Sequence, residues 1–193
     1  TASVPRAGLD TDAVVAAGAD LADEIGFANL TMGRLAERVG VRTPSLYKHV
    51  ASQDDLVRRI ATLGMSGAGD AVGSAIQGRS GRDALGAAAR ALHDFVMAHP
   101  GRYAATIGLE PTGPDDPLAV AAVKGMEPFT AVLRGYDIAP DDMTHALRAL
   151  RSAFHGFATI ASAGGFQWST DTDASFEWLV DLIDLGLRAK PAA

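Results

Sequence analysis

At 193 residues, with a net charge of −6, 48% hydrophobic and 21% charged residues, the chain can hold one or two packed units and is too apolar to be a disordered tail. No apolar run reaches the ~18 residues of a membrane span, and no charged-then-apolar leader opens the chain. There is no cysteine, which excludes disulfides and thiolate metal sites and fits a cytoplasmic protein.

The chain reads as helix after helix, with no segment of convincing period-2 alternation, so an all-α fold is expected. Residues 10–26 place Val14, Val15, Ala17, Leu21, Ala22 and Ile25 on one broad apolar face, with Asp12 positioned to cap. This is the first helix of a three-helix head. Thr31 then opens a second helix as an N-cap. Leu35, Ala36 and Val39 share its inner face, and Arg34, Glu37 and Arg38 stay outside. Gly40 stands where that helix must end, and Val41 plugs the turn. A second helix start follows, with Thr43 able to cap and Pro44 suited to the first helical position. This helix is expected over about Pro44–Val50, with Leu46 and Val50 facing inward.

That arrangement is a helix-turn-helix, and its outer residues suit DNA. Arg42 and Lys48 can meet phosphates or guanine edges. Thr43, Ser45 and Tyr47 can donate to phosphate oxygens, and Pro44 or the Thr43 methyl can touch a thymine methyl. Between Thr31 and Val50 four cations (Arg34, Arg38, Arg42, Lys48) face one acid, Glu37, so the segment is locally +3 within an acidic chain. Periodicity alone also allows an ordinary helical hairpin with a solvated basic face.

Asp54-Asp55-Leu56 begins a fourth helix through Ile60 and Leu63, its acids suited to the helix dipole. Gly64–Gly81 is then so rich in glycine that a weak or broken helix is expected, since each interior glycine costs about 0.5–1 kcal/mol relative to alanine. It reads either as a hinge or as small residues that let helices pack closely. The expected organisation is a head over 1–60, a glycine-rich connector over 61–81 and a second helical unit over 82–193.

In the second unit, Ala84, Leu85, Ala88, Leu92, Phe95 and Val96 form an apolar stripe to about Ala98, where His99-Pro100-Gly101 stops it. A short helix is expected around Arg102–Leu109. A loop over 111–117 ends in an Asp able to cap the next helix, Pro117–Leu133, with Val120, Val123, Met126 or Glu127, and Val132 inside. A helix from Ala139-Pro140-Asp141 to about Ser162 and a last one from about Asp173 complete the chain.

These last two helices carry more large apolar residues than so small a chain needs. Leu147, Leu150, Phe154, Phe157, Phe176, Leu179, Val180, Ile183 and Leu187 are therefore read as a homodimer interface, two copies forming a four-helix bundle. The head leads to a dimer independently. One short recognition helix reads few base pairs, whereas two set about 34–36 Å apart read a palindrome. A monomeric core is the alternative.

The histidines show no i, i+4 metal pairing, and no phosphate-binding glycine loop or nucleophile elbow is present. No enzymatic activity, metal or cofactor is expected. A small-molecule pocket is expected from Phe95, Tyr103, Ile107, Met126, Phe129, Phe154, Phe157 and Trp168, with Arg151 and His155 as polar anchors. Plain core packing would explain the same apolar residues.

The segment over 30–60 resembles the DNA-binding domain of the tetracycline-repressor (TetR) family. The matching elements are Leu30-Thr31, Leu35-Ala36, Gly40-Val41, Pro44-Ser45-Leu46-Tyr47, His49-Val50 and Leu56, and the resemblance covers roughly residues 10–60. It implies that Thr31, Thr43, Pro44, Ser45, Tyr47, Lys48 and His49 lie at or near DNA. Where the family carries a phosphate-contacting lysine, this chain has Gln53. The second unit resembles the ligand domain named for a Trp-His-Gly motif through His99-Pro100-Gly101-Arg102-Tyr103, Phe154-His155-Gly156-Phe157 and Phe176-Glu177-Trp178-Leu179, with Phe154 in place of the Trp. Together they imply a dimeric regulator, a repressor released from a palindromic operator by an unknown small-molecule effector. The alternative is a ligand-independent DNA-binding protein whose second unit only dimerises or binds a protein partner.

Overall fold

The computed structural model describes residues 9–189, and all regular structure among them is helical. The chain divides into two compact units. The first takes residues up to Met65 together with Ala98–Ala122, and the second takes Ser66–Met97 together with residues from Val123 onward. Among the described residues no helix is long and apolar enough to cross a membrane.

In the first unit, α1 spans Thr11–Ile25. Its cap is Asp10, not Asp12. A cap must precede the helix in extended conformation, and Asp10 does so while its carboxylate accepts from the Ala13 N–H at 2.8 Å. After a 3-10 turn at Phe27–Asn29, α2 covers Met32–Val39 with Thr31 as its cap. Gly40 ends α2 in the left-handed conformation, at φ 72°, with its N–H on the Ala36 and Glu37 carbonyls. The next helix, α3, is only Thr43–Leu46. Thr43 is its first residue rather than its cap, and Arg42 flanks it without a side-chain cap bond. Beyond Leu46 the expected helix closes as a turn. The His49 and Val50 N–H groups both reach back to the Leu46 carbonyl, at 2.9 and 3.1 Å. That turn still returns Val50 to the core beside Leu35, Leu46, Leu56 and Ile60.

Helix α4 runs unbroken over Gln53–Ala75. Its start is a reciprocal capping arrangement. Ser52 Oγ accepts from the Asp55 N–H at 3.0 Å, and the Asp55 carboxylate accepts from the Ala51 N–H at 2.9 Å. The glycine-rich run is therefore helical to Ala75, against the expectation of a weak or broken helix. Close packing offsets the conformational cost of its glycines. In the second unit, a Cβ on Gly69 would lie 2.8 Å from the Gly125 Cα.

Helix α5 covers Gly81–Ala98, and α6 is a single turn, Pro100–Ala104, starting earlier and ending sooner than expected. Asp116 caps α7, Pro117–Arg134, by accepting from the Leu118 N–H at 2.9 Å. Leu118, Ala121, Phe129, Val132 and Leu133 are its buried residues, and Val120 and Val123 point outward, contrary to expectation. The stripe through Leu118, Ala121 and Val132 sets the rotation of the helix and carries both valines to the other side.

In the second unit, a 3-10 turn at Pro140–Asp142 leads into α8, Met143–Ser162, and α9 is Thr172–Arg188. Three faces of α9 have separate uses. Asp173, Glu177 and Asp181 pair with Arg82 and Arg90 of α5 at 2.7–3.1 Å. Phe176, Val180 and Asp184 are buried. Trp178, Leu182 and Leu185 are exposed. Burial works against the Asp184 charge. The bonds from Arg188 Nε at 2.8 Å and the Tyr136 hydroxyl at 2.6 Å outweigh it and hold the carboxyl below its usual range.

Candidate nucleic-acid interface

The interface candidate is built on α2, the turn at Gly40 and α3. Leu46 and Val50 anchor it in the core. Thr31, Arg42, Pro44, Tyr47 and Lys48 are exposed, and Thr43, Ser45 and His49 are half-buried, so the predicted residues share one accessible stretch. The Thr31 hydroxyl accepts from the Arg34 N–H at 3.3 Å, which places it at the positive end of α2.

Two long-range bonds fix the ends of this motif, and neither has a local sequence signal. Thr11, the first residue of α1, donates its hydroxyl to the His49 carbonyl at 3.2 Å. Gln53, the first residue of α4, donates its side-chain amide to the Leu30 carbonyl at 3.2 Å. Position 53, where the resemblance expects a lysine, is thus used inside the protein.

The local charge of +3 is not all available. Arg38 forks onto both carboxylate oxygens of Glu24, one at 2.7 Å, and that bond holds the Glu24 carboxyl below its ordinary range. Arg34 donates to the Asn29 carbonyl at 3.2 Å, keeping its charge. Among the described residues no carboxylate bridges Arg42 or Lys48, and both are exposed. The cations without a protein carboxylate are thus Arg34 on α2 and Arg42 and Lys48 on either side of α3, where a phosphate backbone would gain from them.

The predicted pocket residues are less coherent. Tyr103 and Ile107 belong to the first unit and the others to the second. Phe129 and Phe154 are core, the latter packed on Phe176 with ring centres 6.5 Å apart. Phe95, Met126 and His155 are half-buried. Burial, then the Arg151 charge, lowers the His155 pKa. Trp168 is 84% exposed in the α8–α9 loop, so it is not part of an enclosed site. Arg151 is also exposed, one residue past the buried Leu150, and water solvates its charge in place of the internal partner expected for it. Among the described residues, open clefts lie on two sides of the second unit. One of about 260 Å³ lies along α8 and α9, at His145, Ala146, Ile183 and Leu187. The other, about 650 Å³, lies along α4 and α7, at Asp70, Ser74, Gln77, Lys124 and Glu127. None of the predicted pocket residues lines either.

Of the predicted dimer residues, Leu150, Phe154, Phe176 and Val180 are closed inside the protomer and fill its own core. Leu147, Phe157, Leu179, Ile183 and Leu187 are half-buried. The exposed large apolar residues of the pair are Ile160, Trp178, Leu182 and Leu185, none of them among the residues expected at the interface.

Residues 14–60 match the family model for bacterial regulatory proteins of the tetR family, and residues 85–183 match the tetracyclin repressor-like C-terminal domain. The finer Trp-His-Gly resemblance rests only on the residues that suggested it. The chain is 33% identical to an uncharacterized HTH-type transcriptional regulator of Mycobacterium tuberculosis, over 97% of this chain and 86% of that protein. It superposes on BioQ bound to its double-stranded DNA operator with a TM-score of 0.70 and 25% identity, covering 94% of this chain and 99% of that one. A TetR variant from Acinetobacter baumannii in complex with minocycline has the same fold, at TM-score 0.73 and 23% identity over 96% and 100% of the two chains. The chain is therefore a member of the tetR family of bacterial regulatory proteins, a helix-turn-helix transcriptional regulator and not an enzyme.

Proposed function

We propose that the protein is a homodimeric repressor that holds a palindromic operator and leaves it when a small molecule binds the second unit. The observation that carries the DNA reading is the α3 surface, where Arg42, Tyr47 and Lys48 are exposed beside half-buried Thr43, Ser45 and His49. The likeness to BioQ, which was solved on its operator, supports the same use of the motif. Thr31, Arg42, Thr43, Pro44, Ser45, Tyr47, Lys48 and His49 make the contacts, phosphate-directed at the cations and hydroxyls and base-directed along α3.

Dimerisation uses α8 and α9. The ion pairs to α5 fix the rotation of α9, and that rotation leaves Trp178, Leu182 and Leu185 outward at i, i+4, i+7. A second copy covers this stripe with Ile160, while Leu150, Phe154, Phe176 and Val180 support it from below.

The effector reading is supported by the clefts of the second unit and by a protein of the same fold that holds minocycline. Binding would shift the population toward a state with lower operator affinity, by no more than the ligand's differential affinity for the two states. A thermal-shift screen with a broad metabolite library tests it. The expected result is a compound that both stabilises the protein and releases the operator. A library-wide failure of both would leave a ligand-independent DNA-binding protein.

A further inference from the structure

The motif His99-Pro100-Gly101-Arg102-Tyr103 has so far no function. It lies within residues 85–183, which match the C-terminal domain, yet Ala98–Ala122 folds into the unit that contains the helix-turn-helix. Two carboxylates hold it there.

The first is Asp23 of α1, whose side chain is 11% exposed. It accepts from the Arg102 backbone N–H at 2.8 Å and from Arg102 Nε at 2.7 Å, and His99 Nδ1 lies 3.2 Å away. The far end of the Arg102 guanidinium reaches Asp20 at 2.5 Å. Gly101 allows this approach, since a Cβ there would lie 2.0 Å from the Ala22 carbonyl oxygen. The second carboxylate is Asp116, 8% exposed, which pairs with Arg58 of α4. Arg58 also donates to the Glu110 carbonyl at 3.1 Å. Backbone N–H groups of Thr112 and Leu118, then the Thr112 hydroxyl and Arg58, hold the Asp116 pKa down at about 2.

The two latches grip the same two helices that fix the reading motif. Helix α1 carries Asp20 and Asp23 near its end, and its first residue, Thr11, bonds the His49 carbonyl. Helix α4 carries Arg58, and its first residue, Gln53, bonds the Leu30 carbonyl. A helix transmits displacement along its length, so the position of the segment over 99–118 sets where both ends of α2–α3 sit. We infer that Asp23 and Asp116 latch this segment to the reading motif, with Arg102 a positioning residue for operator binding that never touches DNA.

The inference rests on the DNA-reading role of α3, and two readouts separate their failures. In the full chain, Arg102→Ala should weaken binding to a selected operator about tenfold, the size of losing a charged hydrogen-bonded pair. The slope of log affinity against log salt should not change, because no phosphate contact is removed. Amide exchange at His49 and Val50 in the DNA-free protein should quicken in the same variant. Arg102→Lys, which keeps a charge at Asp23, should recover most of both effects. Unchanged exchange at His49 and Val50 would overturn the latch whether or not an operator is found. So would a salt slope lower by about 0.9 per head, which would put Arg102 on a phosphate. A lower melting temperature with wild-type affinity and exchange would reduce Arg102 to a structural role. Failure of the wild-type chain to select any operator would instead count against the reading role of α3, with the exchange readout still deciding the latch.

Discussion

The reading motif and the α8–α9 pair are both made of amphipathic helices, yet they differ in how many apolar stripes each helix carries. Helix α2 has one, Met32, Leu35, Ala36 and Val39, and all that remains on it is Gly33 and the charged Arg34, Glu37 and Arg38. Its rotation is unambiguous, and the polar residues left over form the outer surface. Helix α9 has two. Phe176, Val180 and Ile183 make one stripe, and Trp178, Leu182 and Leu185 make the other. One apolar stripe determines a core. Two leave open which of them turns inward, and in α9 the one that does lies beside the face that pairs with Arg82 and Arg90. The acidic row Asp173, Glu177 and Asp181 can meet Arg82 and Arg90 in only one rotation, and that rotation turns Phe176 inward and Trp178 outward.

The comparison is sharpened most by attacking the outward stripe. Leu182→Arg combined with Leu185→Arg should dissociate the proposed dimer in sedimentation while each protomer stays folded. Operator affinity should fall by about a hundredfold or more, because two linked half-sites become independent. A variant that remains dimeric would place the partner contact elsewhere. The inward stripe should behave differently. Phe154→Ala should cost about 3–5 kcal/mol of the protomer's own stability, measured by denaturant unfolding, as for a large side chain removed from a filled core. Dissociation without loss of stability would put Phe154 at the partner surface after all.

The smallest effects lie in the reading motif and separate its cations. Lys48→Ala should lower the salt slope of operator binding by about 0.9 per head. Arg38→Ala should leave the slope nearly unchanged, since its guanidinium is committed to Glu24. Equal slope changes for both would mean that the Glu24 pair opens on DNA.

The sequence thus carried the reading motif almost whole. The Thr31 cap, the Gly40 terminator, Pro44 in the first turn of α3 and the inward Leu46 and Val50 are all local signals, and each appears in the structure. What it did not carry depends on residues far apart in the chain. Thr11 and His49 are 38 residues apart, and Asp23 and Arg102 are 79 apart. Glycine content suggested a broken helix beyond Leu63. The actual outcome depended on neighbours such as Gly125, which no window around Gly69 contains. The pocket residues were the least legible. An aromatic side chain on a helix satisfies a core and a ligand site equally well, and Phe129 and Phe154 belong to the core. The α8–α9 loop left Trp168 in solvent, where no periodicity applies.

The central claim is that two copies of the α2–α3 motif read a palindrome. Selection of bound sites from random duplex DNA, using the full chain, tests it most directly. The account predicts an inverted repeat whose half-site centres are about 10 base pairs, or 34–36 Å, apart, occupied by one dimer. Enrichment of an unrepeated site held by a single protomer, or no enrichment at all, would contradict it.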